Sequence, residues 1–392
     1  MSRVKRLMVC CDGTWSKPDN KVVTNVEKIA RSVQNDPALA SGITQLVYYI
    51  AGVGASSYAA DRMLGGAFGF GLSQNVISSY RFLAQNYEPG DEIFIVGFSR
   101  GAYTARSLAG MIGRVGLLTE RALVEERLRD AVRLYQRKQP DEGAFGASVG
   151  EFSHDHCHPA RIRFLGVFDT VGALGVPGFR WRSPRFHDVQ LGPAVLCARQ
   201  ALAIDETRLV FAPTLWEISA DAPAGTSTHD ERVKQVWFEG AHADVGGGYP
   251  ETGLSDTALL WMAREARAAG LVFDVSLLSH YVASGSDPIR HDPLTLGFRL
   301  HNAALTAGHA LGFGRAAAER LIGGRRRLTN PRAVSIAVAS SAINHVQSGE
   351  YEPVNVEDYR AATDGFSGVS EPVTALPEAG VDLEPLGGVD AA

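Results

Sequence analysis

The sequence predicts an α/β fold with a mostly parallel central sheet and helices on both faces. Apolar runs of strand length alternate with longer segments whose apolar residues recur at helical spacing. The run from Ile93 to Val96 is continuous enough for a strand buried on both faces. Three predicted strands lead directly to residues with catalytic chemistry, Ser99, Asp169 and His242. We expect these residues at the carboxyl ends of their strands, within reach of one another.

The first part of the chain supplies two predicted strands and a helix. The strands are Leu7 to Cys11 and Gln45 to Ile50. A glycine-rich stretch at 65–71 then precedes a helix. One apolar stripe along this helix is formed by Leu72, Val76, Tyr80, Leu83 and Tyr87.

Residues 97–101 read Gly-Phe-Ser-Arg-Gly, a G-x-S-x-G pattern between a predicted strand and a predicted helix. This pattern is the nucleophile elbow of serine hydrolases, in which the serine occupies a strained, sharp turn. Small residues on both sides let neighbouring elements approach, and Gly97 and Gly101 meet that need. The following helix is indicated by Ala102, Ala105, Leu108, Ala109 and Ile112. Ser99 is therefore the candidate nucleophile.

A serine hydroxyl needs a base to take its proton and an acid to orient that base. Asp169 ends the strand 161–168 and fits the orienting acid, while His242 follows the strand 233–238 and fits the base. Asp244 is a second candidate for the orienting acid. Residues two apart face the same way only in extended structure, and the glycines at 246–248 indicate a turn. We therefore favour Asp169 and expect Asp244 to brace the loop.

Acyl transfer also needs backbone donors for the oxyanion of the tetrahedral intermediate. The N–H of Arg100, directly after the nucleophile, is one candidate. The loop after the first strand supplies the other, from Gly13 or Thr14, and Asp12 would turn or cap the chain there. The same loop is similar to that of phosphatases with an aspartyl nucleophile. Cys10 stands where their nucleophilic carboxylate would be, so we reject this interpretation.

The chain resembles the α/β-hydrolase catalytic domain of type VI secretion phospholipase effectors. The matching segments are Cys11 to Trp15, Gly97 to Ala102, Phe168 to Gly172, Ala201 to Trp216 and Gly240 to Tyr249, with a weaker match at Tyr351 to Asn355. The resemblance implies a Ser-Asp-His triad on Ser99, Asp169 and His242, the residues that chain order also selects. It further implies a lipid or other acyl ester as the substrate. We expect no cofactor.

Two metal sites are alternatives to serine chemistry. Residues 154–158 read His-Asp-His-Cys-His, which are possible zinc ligands, although a solvated loop is the favoured interpretation. A second site would combine Asp12, Asp169, His242 and Asp244. A metal-dependent phosphoesterase therefore stays open as a function. A catalytically silent binding module with the same fold is a separate alternative.

The predicted organisation is a single α/β-hydrolase-like domain over residues 1–360 with inserted cap or loop segments. Insertions are expected at about 120–160 and 175–232. A basic segment at 303–328 could form a lid or a membrane-surface helix, although a solvated charged face is favoured. Residues 361–392 carry acidic residues among Gly, Pro and Ala with no basic residue, and this tail is expected to be disordered.

Length and composition agree with a soluble enzyme. At 392 residues and 45% hydrophobic, the chain can bury a large core, and its net charge of −5 gives no reason to expect nucleic acid. Four cysteines do not make a disulfide framework. The apolar run at 7–11 is too short for a signal peptide core, and no window approaches the ~20 apolar residues of a membrane span. We expect a cytoplasmic protein with peripheral membrane contact at most, open to leaderless export.

Overall fold

Strands and helices alternate along most of the chain. The computed structural model describes residues 4–13, 22–52, 65–137, 142–171, 191–219, 221–223, 225–282, 288–296, 298–299, 302–303, 321–322, 325–367 and 369–373. The strands are β1 Lys5–Cys11, β2 Thr44–Ile50, β3 Glu92–Phe98, β4 Leu117–Leu118, β5 Cys157–His158, β6 Ile162–Phe168, β7 Ala198–Ala203, β8 Val233–Phe238, β9 Leu321–Ile322, β10 Arg325–Arg326, β11 Ile336–Ala339 and β12 Ser370–Glu371. The helices are α1 Asn25–Ser32, α2 Gly65–Asn86, α3 Arg100–Val115, α4 Glu120–Val124, α5 Leu128–Gln136, α6 Glu142–His156, α7 His242–Gly246, α8 Gly253–Ala268, α9 Val275–Tyr281, α10 Ser340–Ser348 and α11 Val354–Ala362.

Within these ranges, eight strands form one sheet in the order β12-β11-β8-β7-β6-β3-β1-β2. All of their recorded pairings are parallel. Two small antiparallel pairs, β4 with β5 and β9 with β10, lie outside this sheet. The α/β-hydrolase-like fold class predicted from the sequence is confirmed.

The sheet is covered on both faces because side chains along each strand alternate between two cores. Leu7 and Val9 of β1 belong to the core that contains the apolar faces of α2 and α3. Met8 and Cys10 point the other way, into the core that contains residues of α1 and α8. All four side chains are fully buried. This double burial explains why β1 and β3 read as continuous apolar runs.

The expected insertion at 175–232 contains a central strand of the sheet, so that expectation is wrong in part. β7 lies between β6 and β8, and all of its residues are buried. Its sequence, Ala-Arg-Gln-Ala-Leu-Ala, lacks the β-branched and aromatic residues that signal a strand. Pairing with two neighbours therefore determines its conformation. Residues 172–190 lie outside the described part of the chain.

The solvated loop favoured for residues 154–158 is also wrong. Residues 142–156 form α6, so the His154–His158 cluster occupies the last turn of this helix and the short strand β5. Three glycines, Gly143, Gly146 and Gly150, weaken the helical signal in the sequence. Val149 and Phe152 pack against the α2–α3 core, and this contact stabilises the helix.

The sequence favoured a solvated charged face for the basic segment at 303–328. In the part of this segment that the structure describes, that interpretation is wrong. Arg325 and Arg326 form β10, and Arg326 is only 1% exposed. Residues 304–320, on which a lid helix would depend, lie outside the described part of the chain. Among the helices that the structure describes, none combines the length and apolar character that crossing a membrane requires.

The prediction of a disordered tail from residue 361 is wrong for residues 361–367 and 369–373, which the structure describes. β12 pairs in parallel with β11 at the edge of the sheet, and both Phe366 and Val373 are buried. Glu371 binds Lys234 Nζ of β8 at 2.7 Å. The strand could not be recognised from the sequence, because two residues in an acidic, glycine-rich segment are too few to form a strand pattern. The rest of the predicted tail, 374–392, lies outside the described residues.

Candidate active site

Ser99 occupies the sharp turn between β3 and α3. Its backbone has φ 58° and ψ −121°, a conformation that non-glycine residues rarely adopt, and its N–H donates to the carbonyl of Phe168 at 3.0 Å. Gly97 and Gly101 are required on either side. A Cβ on Gly97 would lie 2.6 Å from the Gly101 carbonyl oxygen, and one on Gly101 would collide with the carbonyl oxygen of Cys11. The predicted elbow is therefore formed by backbone packing on both sides of the serine.

The side chains of Ser99, His242 and Asp169 form one hydrogen-bonded chain. Ser99 Oγ lies 2.8 Å from His242 Nε2, and His242 Nδ1 lies 2.5 Å from Asp169 Oδ2. Because an ionised carboxylate only accepts hydrogen bonds, Nδ1 carries the proton and Nε2 is left to accept from the serine. All three residues are at most 6% exposed. This arrangement can deprotonate Ser99 as it attacks a carbonyl.

Two aromatic rings hold the imidazole of His242 in this orientation. The ring of Phe98, in the elbow, lies 4.6 Å from the imidazole centroid, and the ring of Phe211 meets it edge-on at 4.9 Å. The backbone N–H of His242 lies 3.4 Å from an oxygen of the buried carboxylate of Glu206. His242 is the first residue of α7, so its side chain projects from the start of a helix rather than from a free loop.

Asp169 is buried completely and accepts from both sides of the site. Oδ1 accepts from the Ala203 N–H at 3.0 Å and from Arg326 Nη1 at 2.5 Å, while Oδ2 accepts from His242 and, at 2.9 Å, from Arg326 Nη2. Burial by itself raises the pKa of this carboxyl. The Arg326 charge and the His242 hydrogen bond outweigh burial, and the pKa of Asp169 falls well below its ordinary value.

Asp244 is hydrogen-bonded to groups other than the imidazole of His242. One of its oxygens accepts from the Ala241 N–H at 2.9 Å, and the other lies 2.6 Å from Nδ1 of His291. The ring of Tyr249 stacks on His291 with centroids 3.8 Å apart. Asp244 therefore braces the start of α7 and ties it to the 288–296 segment.

Asp12 and Gly13 lie beside the elbow. The Asp12 carboxylate accepts from Thr24 Oγ1 at 2.7 Å, from the Tyr49 hydroxyl at 2.6 Å and from the Gly13 N–H at 2.5 Å. A Cβ on Gly13 would lie 3.5 Å from Ser99 Cβ. Of the expected oxyanion donors, Gly13 is thus next to Ser99 but donates to Asp12, while Thr14 lies outside the described residues.

Arg100 is the first residue of α3, with Ser99 as the N-cap. An amide at this position has no acceptor within its own helix and points out of the helix N-terminus. Burial lowers the pKa of the Arg100 guanidinium to about 10, so this side chain stays charged at neutral pH.

The two metal sites weighed from the sequence are not assembled in the described part of the chain. Nowhere among these residues do three or more His, Cys, Asp or Glu side chains converge as metal ligands do. Asp12 and Asp244, for instance, are each bound to their own neighbours.

The chain matches the model of a known protein family. The family model described as "T6SS, Phospholipase effector Tle1-like, catalytic domain" matches residues 5–265, more than half of the chain. The chain belongs to this family. The match includes β1 to β8 and the Ser99, Asp169 and His242 positions, so the resemblance stated from the sequence is confirmed. The segment from Leu321 onward, with β11 and β12, lies beyond it.

The individual proteins to which this chain is similar are longer than it is. An uncharacterised protein of Saccharomyces cerevisiae is 32% identical over 229 residues, which cover 53% of this chain and 32% of the yeast protein. Among solved structures, a Tle1 effector bound to the VgrG spike of the type 6 secretion system is 17% identical, with a TM-score of 0.36 over 64% of this chain and 52% of that one. An uncharacterised Pseudomonas aeruginosa protein is 18% identical, with a TM-score of 0.42 over 82% and 51%. The chain thus spans about a third to a half of the length of these proteins.

Sequence reasoning missed three side chains around the candidate site. They are Glu206, Phe211 and Arg326. Phe211 is part of a segment without strand or helix periodicity, and Glu206 is one of many acidic residues. Arg326 belongs to a run of three arginines, which is more typical of a solvent-exposed face. A fully buried ion pair across 157 positions has no local signal.

Proposed function

We propose that this chain is a serine-dependent carboxylic ester hydrolase that works through an acyl-enzyme on Ser99. The observation that carries the proposal is the continuous hydrogen-bonded chain from Ser99 Oγ through the imidazole of His242 to the Asp169 carboxylate. The family description, a phospholipase effector catalytic domain, supports a lipid acyl ester as the substrate class.

In the proposed reaction, Ser99 Oγ attacks the acyl carbonyl carbon while His242 Nε2 takes the hydroxyl proton. The tetrahedral intermediate collapses, the alcohol leaves with the proton from His242, and the acyl group stays on Ser99. Water then attacks the acyl-enzyme with His242 again as the base, and the carboxylic acid leaves. Throughout both steps, Asp169 holds the Nδ1–H tautomer and stabilises the imidazolium that forms.

The developing oxyanion needs donors that are in place before the reaction, and each typically contributes ~3–4 kcal/mol of barrier lowering. We propose the Arg100 N–H as one of them because it leaves the helix N-terminus directly beside Ser99. For the second donor we propose the loop at Gly13 and Thr14. Gly13 would exchange its hydrogen bond to Asp12 for one to the oxyanion.

Labelling with a fluorophosphonate probe tests the nucleophile. The wild type should react covalently at Ser99, as mass spectrometry of the labelled peptide would show, and should hydrolyse p-nitrophenyl esters. Ser99→Ala should lose labelling completely and lose turnover by about 10⁵-fold or more, since the residues of a triad act as a unit. Ser348→Ala changes an exposed serine of α10 and should behave like the wild type.

A panel of acyl esters and phospholipids, assayed with and without EDTA, then defines the substrate. We expect release of fatty acid from at least one lipid ester and no effect of the chelator. Labelling of Ser99→Ala equal to that of the wild type would refute the proposal. Loss of activity in EDTA would instead favour a metal-dependent phosphoesterase, and a wild type that never labels would favour a silent binding module.

A further inference from the structure

We propose that Arg326 is a positioning residue of this site, which orients Asp169 through a two-pronged ion pair. This inference rests on the proposed function. Arg326 lies beyond the segment that the family model matches, in the short strand β10.

The geometry fits a fork that fixes the plane of the carboxylate. Arg326 Nη1 donates to Asp169 Oδ1 at 2.5 Å, and Nη2 donates to Oδ2 at 2.9 Å. Oδ2 is also the oxygen that accepts from His242 Nδ1. The guanidinium therefore binds the carboxylate at both oxygens and leaves one lone-pair direction of Oδ2 for the imidazole.

The fork is itself held by the backbone around the site. Nη1 also donates to the Ala203 carbonyl at the end of β7 at 2.9 Å, and Nη2 donates to the Phe211 carbonyl at 2.6 Å. The ring of Phe211 packs against the imidazole of His242. Both side chains of the ion pair are fully buried. Arg326 thus links the strand that supports Asp169 with the segment that covers His242.

Burying this charge pair has a desolvation cost that a purely apolar contact would avoid. The titratable and charged groups that face Asp169 are the imidazole of His242, from α7, and the guanidinium of Arg326, from β10. Glu206 lies one step away, against the His242 N–H, and it is paired with Arg208 at 2.7 Å. Arg326 is therefore the permanent positive charge next to Asp169. Without Arg326, only His242 would offset the rise in the pKa of Asp169 that burial causes.

The test compares Arg326→Met with Arg325→Met, which changes the exposed neighbour in the same strand. Arg326→Met should lower kcat/KM for a p-nitrophenyl ester by about 100-fold, mainly through kcat, the size of loss that a displaced catalytic group produces. The acid limb of its pH profile should move to higher pH, because Asp169 becomes easier to protonate. Arg325→Met should match the wild type in both respects.

Arg326→Lys separates charge from geometry and covers the case in which Arg326→Met does not fold. Lysine keeps the positive charge but lacks the fork, so kcat should fall about tenfold while the acid limb stays in place. In an Asp169→Asn background, Arg326→Met should cause no further loss, because Arg326 acts through that carboxylate.

Two results would overturn the role of Arg326. One is a wild-type kcat in Arg326→Lys, and the other is an equal loss of kcat from Arg326→Met in the wild-type and Asp169→Asn backgrounds. Fluorophosphonate labelling of the wild type keeps the two proposals apart. If Ser99 labels and the Arg326 variants match the wild type, only the positioning role fails. If Ser99 does not label, the proposed function fails and this inference fails with it.

Discussion

Two residues of the candidate site, Ser99 and Asp169, have strained backbones. Their φ angles are 58° and 40°, and a positive φ is uncommon for residues other than glycine. Each directly follows a strand, and each binds one end of the His242 imidazole. Strain of this kind persists only where the surrounding structure holds it in place. Here the holding contacts are the glycine-lined turn at Ser99 and the Ala201, Ala203 and Arg326 hydrogen bonds at Asp169.

The choice between Asp169 and Asp244 can be tested at the same scale. Asp169→Asn should lower kcat by about 10⁴-fold with the fold retained, because the amide favours the wrong imidazole tautomer. Asp244→Asn should change kcat less than tenfold, since this side chain binds Ala241 and His291 instead. Ester hydrolysis and circular dichroism of both variants provide the measurement. A larger loss of kcat in Asp244→Asn than in Asp169→Asn would contradict the assignment.

At the residue scale, sequence patterns identified some residues of the candidate site and missed others. Ser99, Asp169 and His242 could be selected because each follows a predicted strand and a glycine-rich turn marks two of them. Arg326 could not be selected, because nothing in a run of three arginines says which one is buried. Its partner lies 157 positions away, and only the contact of β10 with the end of β7 brings the two together.

Among the elements, the turn from β3 into α3 is closely packed around the candidate nucleophile. α3 approaches the end of β1 so closely that Gly101 touches the carbonyl groups of Cys11 and Asp12. Backbone atoms on both sides leave no flexible side chain to move aside. The helix N-terminus, and with it the Arg100 amide, is thus held against the loop that carries Gly13.

Gly101→Ala should therefore lower the free energy of unfolding by about 3 kcal/mol, the upper end of the usual cost of overpacking. Gly150→Ala is the matched control in α6, where an added Cβ meets no atom within 4 Å. It should raise the free energy of unfolding by up to about 1 kcal/mol, because alanine is the better helix former. Urea unfolding of both variants checks the contrast, and equal stabilities would contradict the close approach.

β7 and α6 show the limit of local signals for whole elements. β7 has a composition that favours a helix, yet it is a strand because β6 and β8 flank it on both sides. α6 has three glycines, yet it is a helix because it packs against α3. In both cases, tertiary contacts outweigh a propensity difference of at most about 1 kcal/mol per residue.

At the scale of the molecule, the sheet draws strands from residue 5 to residue 371. We therefore propose one domain that extends at least to Val373, rather than one that ends at residue 360. β12 closes the edge next to β11, where Val373 N–H donates to Ser340 Oγ at 2.9 Å and Glu371 binds Lys234.

Deletion of residues 367–392 removes β12 and these contacts, and should lower Tm by about 5 °C or more, at roughly 2–4 °C per kcal/mol for a large domain. Deletion of 374–392 keeps every contact just named and serves as the control, with a Tm within about 1 °C of the wild type. Differential scanning calorimetry of the two shortened chains checks this. Equal Tm values would show that β12 does not stabilise the sheet.

The sequence by itself determined the fold class and most of the elements, because burial on both faces leaves continuous apolar runs and helices leave a period of 3.6 residues. It also selected Ser99, Asp169 and His242 as the candidate nucleophile, acid and base, from the order of strand ends. Only the tertiary structure decided that β7 and β12 are strands, that Asp169 rather than Asp244 binds the imidazole, and that Arg326 is buried against it. Those features depend on contacts between residues distant in the chain, which leave no periodic pattern in the sequence around them.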